Sequence, residues 1–204
     1  MSDGSTTRPQ MTLPHTQAAA NILVFCAGNR KARNNFQTSI ATPIPTELVL
    51  SCFPPERHAP LRDTMQNAGG FFAWALGEDR RAATFWARLV PGDVVLGFFE
   101  FHYRTVSQLA AKAENETLAE KVWGNPKWRR ILLLTKPVHV TVPAKDVCPP
   151  LCSTYRGTAR ISDARVAQIL SDHGSIPAFI QRKFGVALCR STTTATPDEG
   201  EREK

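Results

Sequence analysis

The sequence predicts an α+β fold, a small and mostly antiparallel β-barrel surrounded by helices. Three observations carry this. Five or six short apolar segments, bounded by Gly, Pro or Asn, have the length of strands, and several are apolar at consecutive positions, as strands buried on both faces are. Segments with helical spacing lie between and after them. A sheet this apolar would leave sticky edges, which a closed or nearly closed barrel removes.

The elements follow in order. Asn21 to Ala27 (NILVFCA) is a short apolar run stopped by Gly28-Asn29, a buried strand. Gly28 to Asn35 (GNRKARNN) crowds three positive charges at the strand exit, where Gly and Asn favour a tight turn. Between Thr46 and Gly70 the signal is mixed: Pro54, Pro55 and Pro60 exclude one long helix, while Leu48, Val49 and Phe53 allow a turn or two. Phe71 to Leu76 reads as a strand with Gly77 as its stop.

In Glu78 to Val90, Ala82, Phe85, Trp86 and Leu89 fall at i, i+3, i+4 and i+7, one face of a helix. Pro91-Gly92-Asp93 turns into Val94 to Phe101, a central strand, and a second strand covers Tyr103 to about Ala111. Asn115 caps a helix from Glu116 to Trp123 that Gly124 ends. Arg130 to Thr135 is apolar again, and Val138, Val140 and Val142 alternate with His139 and Thr141 as in a strand with one wet face. Ser162 begins a helix with Val166, Ile169 and Leu170 on one face and Gly174 at its end, and Ser175, with Pro177 in the first turn, opens another.

Residues 1 to about 20 carry too few large apolar groups to offset the entropy of ordering them, so a flexible arm is expected there. Residues 189–204 read as a solvated tail or linker, leaving one domain over 21–188. No run reaches the ~18 apolar residues of a membrane span, and the N-terminus lacks a signal peptide's apolar centre, so a cytoplasmic protein is expected. Lys and Arg number 25 against 18 Asp and Glu, a formal net charge of +7 that suits a polyanionic partner.

Cys26, Cys52, Cys148, Cys152 and Cys189 are odd in number and irregular in spacing, which argues against a disulfide framework and for plain thiols. Cys148 and Cys152 have no second pair at ligand spacing, so no metal is expected. Cys26 with a histidine is conceivable as nucleophile and base, yet no motif supports it. Carboxylate pairs for a metal, a phosphate-cradling Gly-rich loop and a Walker sequence are all missing from the chain. No cofactor is implied, and a binding domain is expected in place of an enzyme.

The order of elements resembles the PUA-like superfamily, especially its EVE and YTH branches. The likeness is carried by Phe72-Ala73-Trp74, by Leu89-Val90-Pro91-Gly92-Asp93-Val94-Val95-Leu96, and by Lys121-Val122-Trp123-Gly124 followed by Trp128 and the strands from Ile131 to Val142. The closing segment Tyr155-Arg156-Gly157 and Arg160-Ile161-Ser162-Asp163 is similar to the ending of EVE-like modules and of the DNA-reading domains of modification-dependent restriction systems. The resemblance implies a pocket that takes one extruded nucleobase, often methylated, between aromatic side chains. It implies a cage role for Trp74, a second cage aromatic at Trp123 or Trp128, and a loop of Asn29, Arg30 and Lys31 that contacts base edge and backbone.

Each candidate also has a plainer reading. Trp74 could be a core residue of its strand, Trp123 packs as readily as it binds, and Trp128, among Lys127, Arg129 and Arg130, could be an ordinary surface tryptophan covered by arginine stems. Tyr103, between His102 and Arg104 at a hairpin, is a third aromatic candidate at the barrel mouth or a turn residue whose hydroxyl caps a backbone group. Arg30, Lys31 and Arg33 form either a phosphate-contacting turn or a merely solvated loop. The expectation is a reader of N6-methyladenine or 5-methylcytosine in DNA by base flipping, with a nuclease or motor domain following or acting as partner. An RNA reader of the YTH kind and a protein-binding adaptor with a basic face are the alternatives.

Overall fold

A computed structural model describes residues 21–64, 69–152 and 154–188, so the arm and tail expected at the two ends lie outside the described residues. Seven strands form one curled sheet: β1 (Ile22–Cys26), β2 (Phe72–Leu76), β3 (Val94–Phe99), β4 (His102–Glu114), β5 (Arg130–Leu134), β6 (Val138–Pro143) and β7 (Thr158–Arg160). Their order is β2-β5-β4-β3-β1-β7, with β6 also paired to β4. Only β1 and β3 run parallel; every other pairing is antiparallel. Seven α-helices surround the sheet: α1 (Arg30–Phe36), α2 (Thr46–Leu50), α3 (His58–Thr64), α4 (Arg80–Arg88), α5 (Glu116–Trp123), α6 (Asp163–His173) and α7 (Ile176–Phe184). The fold is α+β, a half-barrel of mixed sheet within helices, as the sequence predicts.

The two-sided apolar strands have the origin expected of them. Along β1, Leu23 and Phe25 point into the hollow of the sheet with Trp74, Leu76, Val95 and Leu132, while Ile22 and Val24 point outward onto Ile169, Phe179 and Ile180 of α6 and α7. Likewise Leu132 and Leu134 of β5 face the hollow, and Ile131 and Leu133 face Leu118, Ala119 and Trp123 of α5. Period-2 alternation thus sorts each strand between an inner core and an outer helical layer.

The Pro91-Gly92-Asp93 turn is fixed by its aspartate. Asp93 is fully buried, and its carboxylate accepts from the Asn21 N–H at 2.7 Å, the Asn21 amide at 3.1 Å and the Val90 N–H at 2.9 Å, tying the start of β1 to the start of β3. Asn115 caps α5 by accepting from Leu118 N–H at 2.7 Å, and Gly124 ends it at φ 64.

Several expectations are corrected. The basic Gly28 to Asn35 segment is not a turn: from Arg30 it is helix α1, extended by a π-helical turn Gln37–Ala41. Asn29 is its N-cap, and its side-chain oxygen accepts from Ala32 N–H at 2.8 Å. The strand expected through Phe101 stops at Phe99, and the hairpin turn falls on Glu100 and Phe101 instead of around Tyr103. Ser162 precedes α6 without a side-chain capping bond. A seventh strand, β7, goes beyond the five or six anticipated; at three residues it is too short to show a period.

Candidate nucleic-acid interface

The two end strands of the sheet, β2 and β7, are brought face to face by a side chain. Trp74 of β2 donates its Nε1–H to Thr158 Oγ1 of β7 at 3.3 Å. Its indole stacks on Phe25 of β1, with centroids 4.2 Å apart and planes 19° from parallel. The gap between the two end strands is therefore bridged by a tryptophan and not by a backbone ladder.

A cleft of about 660 Å³ opens over the seam, within the ~300–1,000 Å³ of ordinary ligand sites. Trp74 forms part of its floor and is only 7 % exposed. Half-buried Phe85, Trp128 and Tyr155 supply its other rings, and exposed Lys31, Arg81 and Arg156 supply positive charge. Asp79, also on the wall, is committed to capping α4 through Ala82 N–H at 2.9 Å.

Hydrogen-bonding capacity faces the same space. Asn35 lines the cleft half-buried, and its side-chain amide has no partner among the described residues. Phe71 and Ile44 exchange both backbone bonds, at 2.7 and 2.9 Å, on the outer edge of β2. Strand alternation then turns the N–H and C=O of Ala73 and Ala75 to that same edge. On β7, Cys26 N–H donates to Gly157 at 2.9 Å and Ile161 N–H donates to Ile22 at 2.9 Å, so the backbone of Thr158 turns away from β1. Ala75 and Thr158 both line the cleft, so two strand edges present peptide groups beside it.

Tyr155 is a fixed wall. Its Oη accepts from Cys152 N–H at 2.9 Å and lies 3.3 Å from Tyr103 Oη, which donates to the Cys152 carbonyl at 3.1 Å. Burial pushes both phenols above their ordinary pKa, and Tyr103 further so because Tyr155 and the Cys152 thiol sit beside it. Both hydroxyls stay neutral through the physiological range. Burial likewise raises the Cys26 thiol at the back of the cleft, against a backbone hydrogen bond from Gly28, which disfavours a thiolate nucleophile there.

The structure brings together some of the expected site residues and separates others. Asn29, Lys31, Trp74 and Trp128 line the cleft, with Lys31 Nζ 4.5 Å above the Trp128 ring. Asn29 serves as the cap of α1, so its oxygen is spent on Ala32. Arg30 is exposed on α1 and does not line the cleft. Arg33 pairs with Glu100 at 3.0 Å, and Arg104 lies 3.6 Å from the same carboxylate and over the Phe99 ring. Tyr103 is fully buried in the core between sheet and helices, among Phe98, Tyr155 and Phe184, and not at the barrel mouth. Trp123, 8 % exposed, packs in the α2/α5 core and donates Nε1–H to Ser39 Oγ at 3.2 Å.

Asn35, Arg81, Phe85, Tyr155 and Arg156 line the cleft and are not among the site residues expected from the sequence. Once Arg30–Phe36 is a helix, Lys31, Ala32 and Asn35 fall on one face at i, i+1 and i+4, a signal hidden while the segment read as a turn. Phe85 lies on the apolar face of α4 with Ala82, and a helical stripe by itself does not distinguish a core ring from a cleft ring.

The class of fold defined here is a curled mixed half-barrel wrapped in helices, with its two end strands meeting at a side-chain seam. Among solved structures the chain is similar to the N-terminal domain of Thermococcus gammatolerans McrB bound to m5C DNA, at 10 % identity and a TM-score of 0.56, covering 74 % of this chain and 96 % of that one. It is also matched to the YTH domain of the Zygosaccharomyces rouxii MRB1 protein in complex with N6-methyladenosine RNA, at 12 % identity and a TM-score of 0.39, over 82 % of this chain and 94 % of that one. No family model matches the sequence, and no curated protein matches it. No helix among the described residues is long and apolar enough to cross a membrane.

Proposed function

We propose that this chain reads a modified base in DNA, held extruded in the cleft over the β2/β7 seam. The observation that carries the reading is the convergence of Trp74, Phe85, Trp128 and Tyr155 with Lys31, Arg81 and Arg156 around one opening. Each aromatic that stacks on a base contributes about 1–3 kcal/mol. Extrusion from a duplex costs a few kcal/mol, so two such contacts offset it. A buried methyl adds about 0.8 kcal/mol, which makes the preference for a modified base modest unless the cleft's shape sharpens it.

Asn35 and the edge peptides of Ala75 and Thr158 are the groups that would read the base's hydrogen-bonding edge. The cations are placed for phosphates, and Lys31 would exchange its position over Trp128 for the backbone of the bound strand. Support comes from the shared fold with a domain whose structure was solved on m5C DNA. On this reading the chain is a binding module, and any nuclease or motor activity belongs to a further domain or partner.

The test is affinity for duplexes and single strands with N6-methyladenine, 5-methylcytosine or no modification, each at two salt concentrations. Binding is expected to weaken steeply with salt, since each neutralised phosphate releases counterions. Trp128→Ala should lower affinity about tenfold and reduce the modified-base preference. Lys31→Gln should weaken modified and unmodified strands alike and lower the salt slope by about one. Affinity indifferent to salt would sink the nucleic-acid reading, and a consistent preference for ribose strands would make the chain an RNA reader.

A further inference from the structure

We propose that Phe101 is a wedge that enters the base stack of a duplex at the step from which the nucleotide is extruded. The inference rests on the base-extrusion reading above and adds the residue that would hold the vacated gap. It starts from a side chain out of place. Phe101 is 69 % exposed at the tip of the β3–β4 hairpin, the most exposed of the large apolar side chains in the described residues.

Its backbone is equally unusual. Glu100 and Phe101 have φ of 52° and 59°, the only non-glycine residues at positive φ among those described. A two-residue hairpin with both central residues in this region normally uses Asn, Asp or Gly. A phenylalanine here is strained locally and gains no burial in return, the combination expected when a side chain is kept for a ligand.

The tip is also well held. Ala144 N–H donates to the Phe101 carbonyl at 2.9 Å, and the Glu100 carbonyl is 2.7 Å from His102 Nδ1. The Glu100 carboxylate binds Arg33 and Arg104, so the ring projects from a braced turn. Arg33 and Arg156 line the same hollow as Phe101 against the single carboxylate of Glu100, which suits a phosphate backbone beside the ring.

Position relates the tip to the base cleft. A second hollow of about 580 Å³ is lined by Phe101, Phe98, Arg33 and Glu100. Cys26, Gly28, Tyr155 and Arg156 line it too, and all four also line the first cleft. The two hollows thus adjoin at Tyr155 and Arg156, and a strand crossing Arg156 would have both within reach. Apolar side chains that enter a base step unstack it and favour the opened state, which lowers the cost of keeping one base outside.

Affinity for a duplex with one N6-methyladenine, and for the single strand of the same sequence, tests the proposal with the full chain. Phe101→Gly and Phe101→Asn both fit the positive φ, so neither threatens the fold. Both are expected to weaken duplex binding on the order of tenfold while leaving single-strand binding unchanged, because the single strand has no stack to open. Phe101→Leu, which keeps an apolar wedge, should retain most duplex affinity. Equal losses on both substrates would overturn the wedge in favour of a stacking shelf, and no loss on the duplex would overturn it outright. Wild-type protein that binds methylated single strands but not duplexes would remove the wedge and keep the reader; wild-type protein that ignores methylation in every context would remove both.

Discussion

Trp74→Ala is expected to cost about 3–5 kcal/mol of stability, the range for truncating a large buried aromatic. Against the ~5–15 kcal/mol that holds a domain folded, this brings the chain close to unfolding. The expected size follows from what the indole joins. It stacks on Phe25 of β1 and bonds Thr158 of β7 from its own place on β2, so one side chain links three strands, including both ends of the sheet. Truncation leaves a void in the inner core and frees the seam at once.

Trp74→Phe separates these contributions, since it keeps a ring against Phe25 but loses the donor to Thr158. About 1–2 kcal/mol is expected for it. Urea denaturation midpoints at constant m-value measure both variants. A loss under about 1 kcal/mol for Trp74→Ala would show that the seam does not depend on the indole. The same contrast guards the binding experiments: a Trp74→Ala protein that binds nothing has lost its barrel as well as its floor, whereas Trp74→Phe should still bind with reduced preference.

How far this site could be read from the sequence depended on the kind of signal each residue gave. Strands β1 to β6 announce themselves because both faces are apolar or alternate, and Asn115 and Gly124 mark α5 by cap chemistry that acts locally. Trp74 stands out in the sequence, where a core role and a cage role look like alternatives. In the structure it is both core and cleft floor, because the core reaches the surface at the seam.

Turn chemistry misleads at the exit of β1. Gly28 and Asn29 suggest a tight turn, yet Asn29 reaching Ala32 is a capping pattern, and the three cations that follow are carried on α1, with Lys31 over Trp128 and Arg33 on Glu100. Tyr103 was misplaced for a different reason. The true turn, Glu100-Phe101, contains no Gly, Asn, Asp or Pro, so its left-handed backbone is invisible to turn chemistry. Shifting the turn by two residues carries Tyr103 from the mouth into the core. The approach of β2 to β7, joined by Trp74 and Thr158, is a long-range fact that no local pattern encodes.

Gly97→Ala is expected to be nearly as damaging as loss of Trp74, through a single methyl. Gly97 lies in β3 within an otherwise bulky run, and an added Cβ would stand 2.3 Å from Thr105 Oγ1 and 2.9 Å from Phe25 Cζ. Neither neighbour can yield freely. Thr105 is buried in β4 and β-branched, and the Phe25 ring is stacked on Trp74. The missing side chain is thus what lets Phe25 lie across β3 and support the indole. Overpacking of this kind costs about 1–3 kcal/mol, and contacts this short place the substitution at the upper end.

Because the displaced ring carries Trp74, the floor of the cleft should tilt too, and ligand affinity should fall alongside stability. Phe25→Leu added to Gly97→Ala relieves the crowding and is expected to recover part of the stability. It should not recover the binding, since the stack under Trp74 is then gone. A Gly97→Ala protein as stable as the wild type, with its modified-base preference intact, would break the chain of support from Gly97 through Phe25 to Trp74.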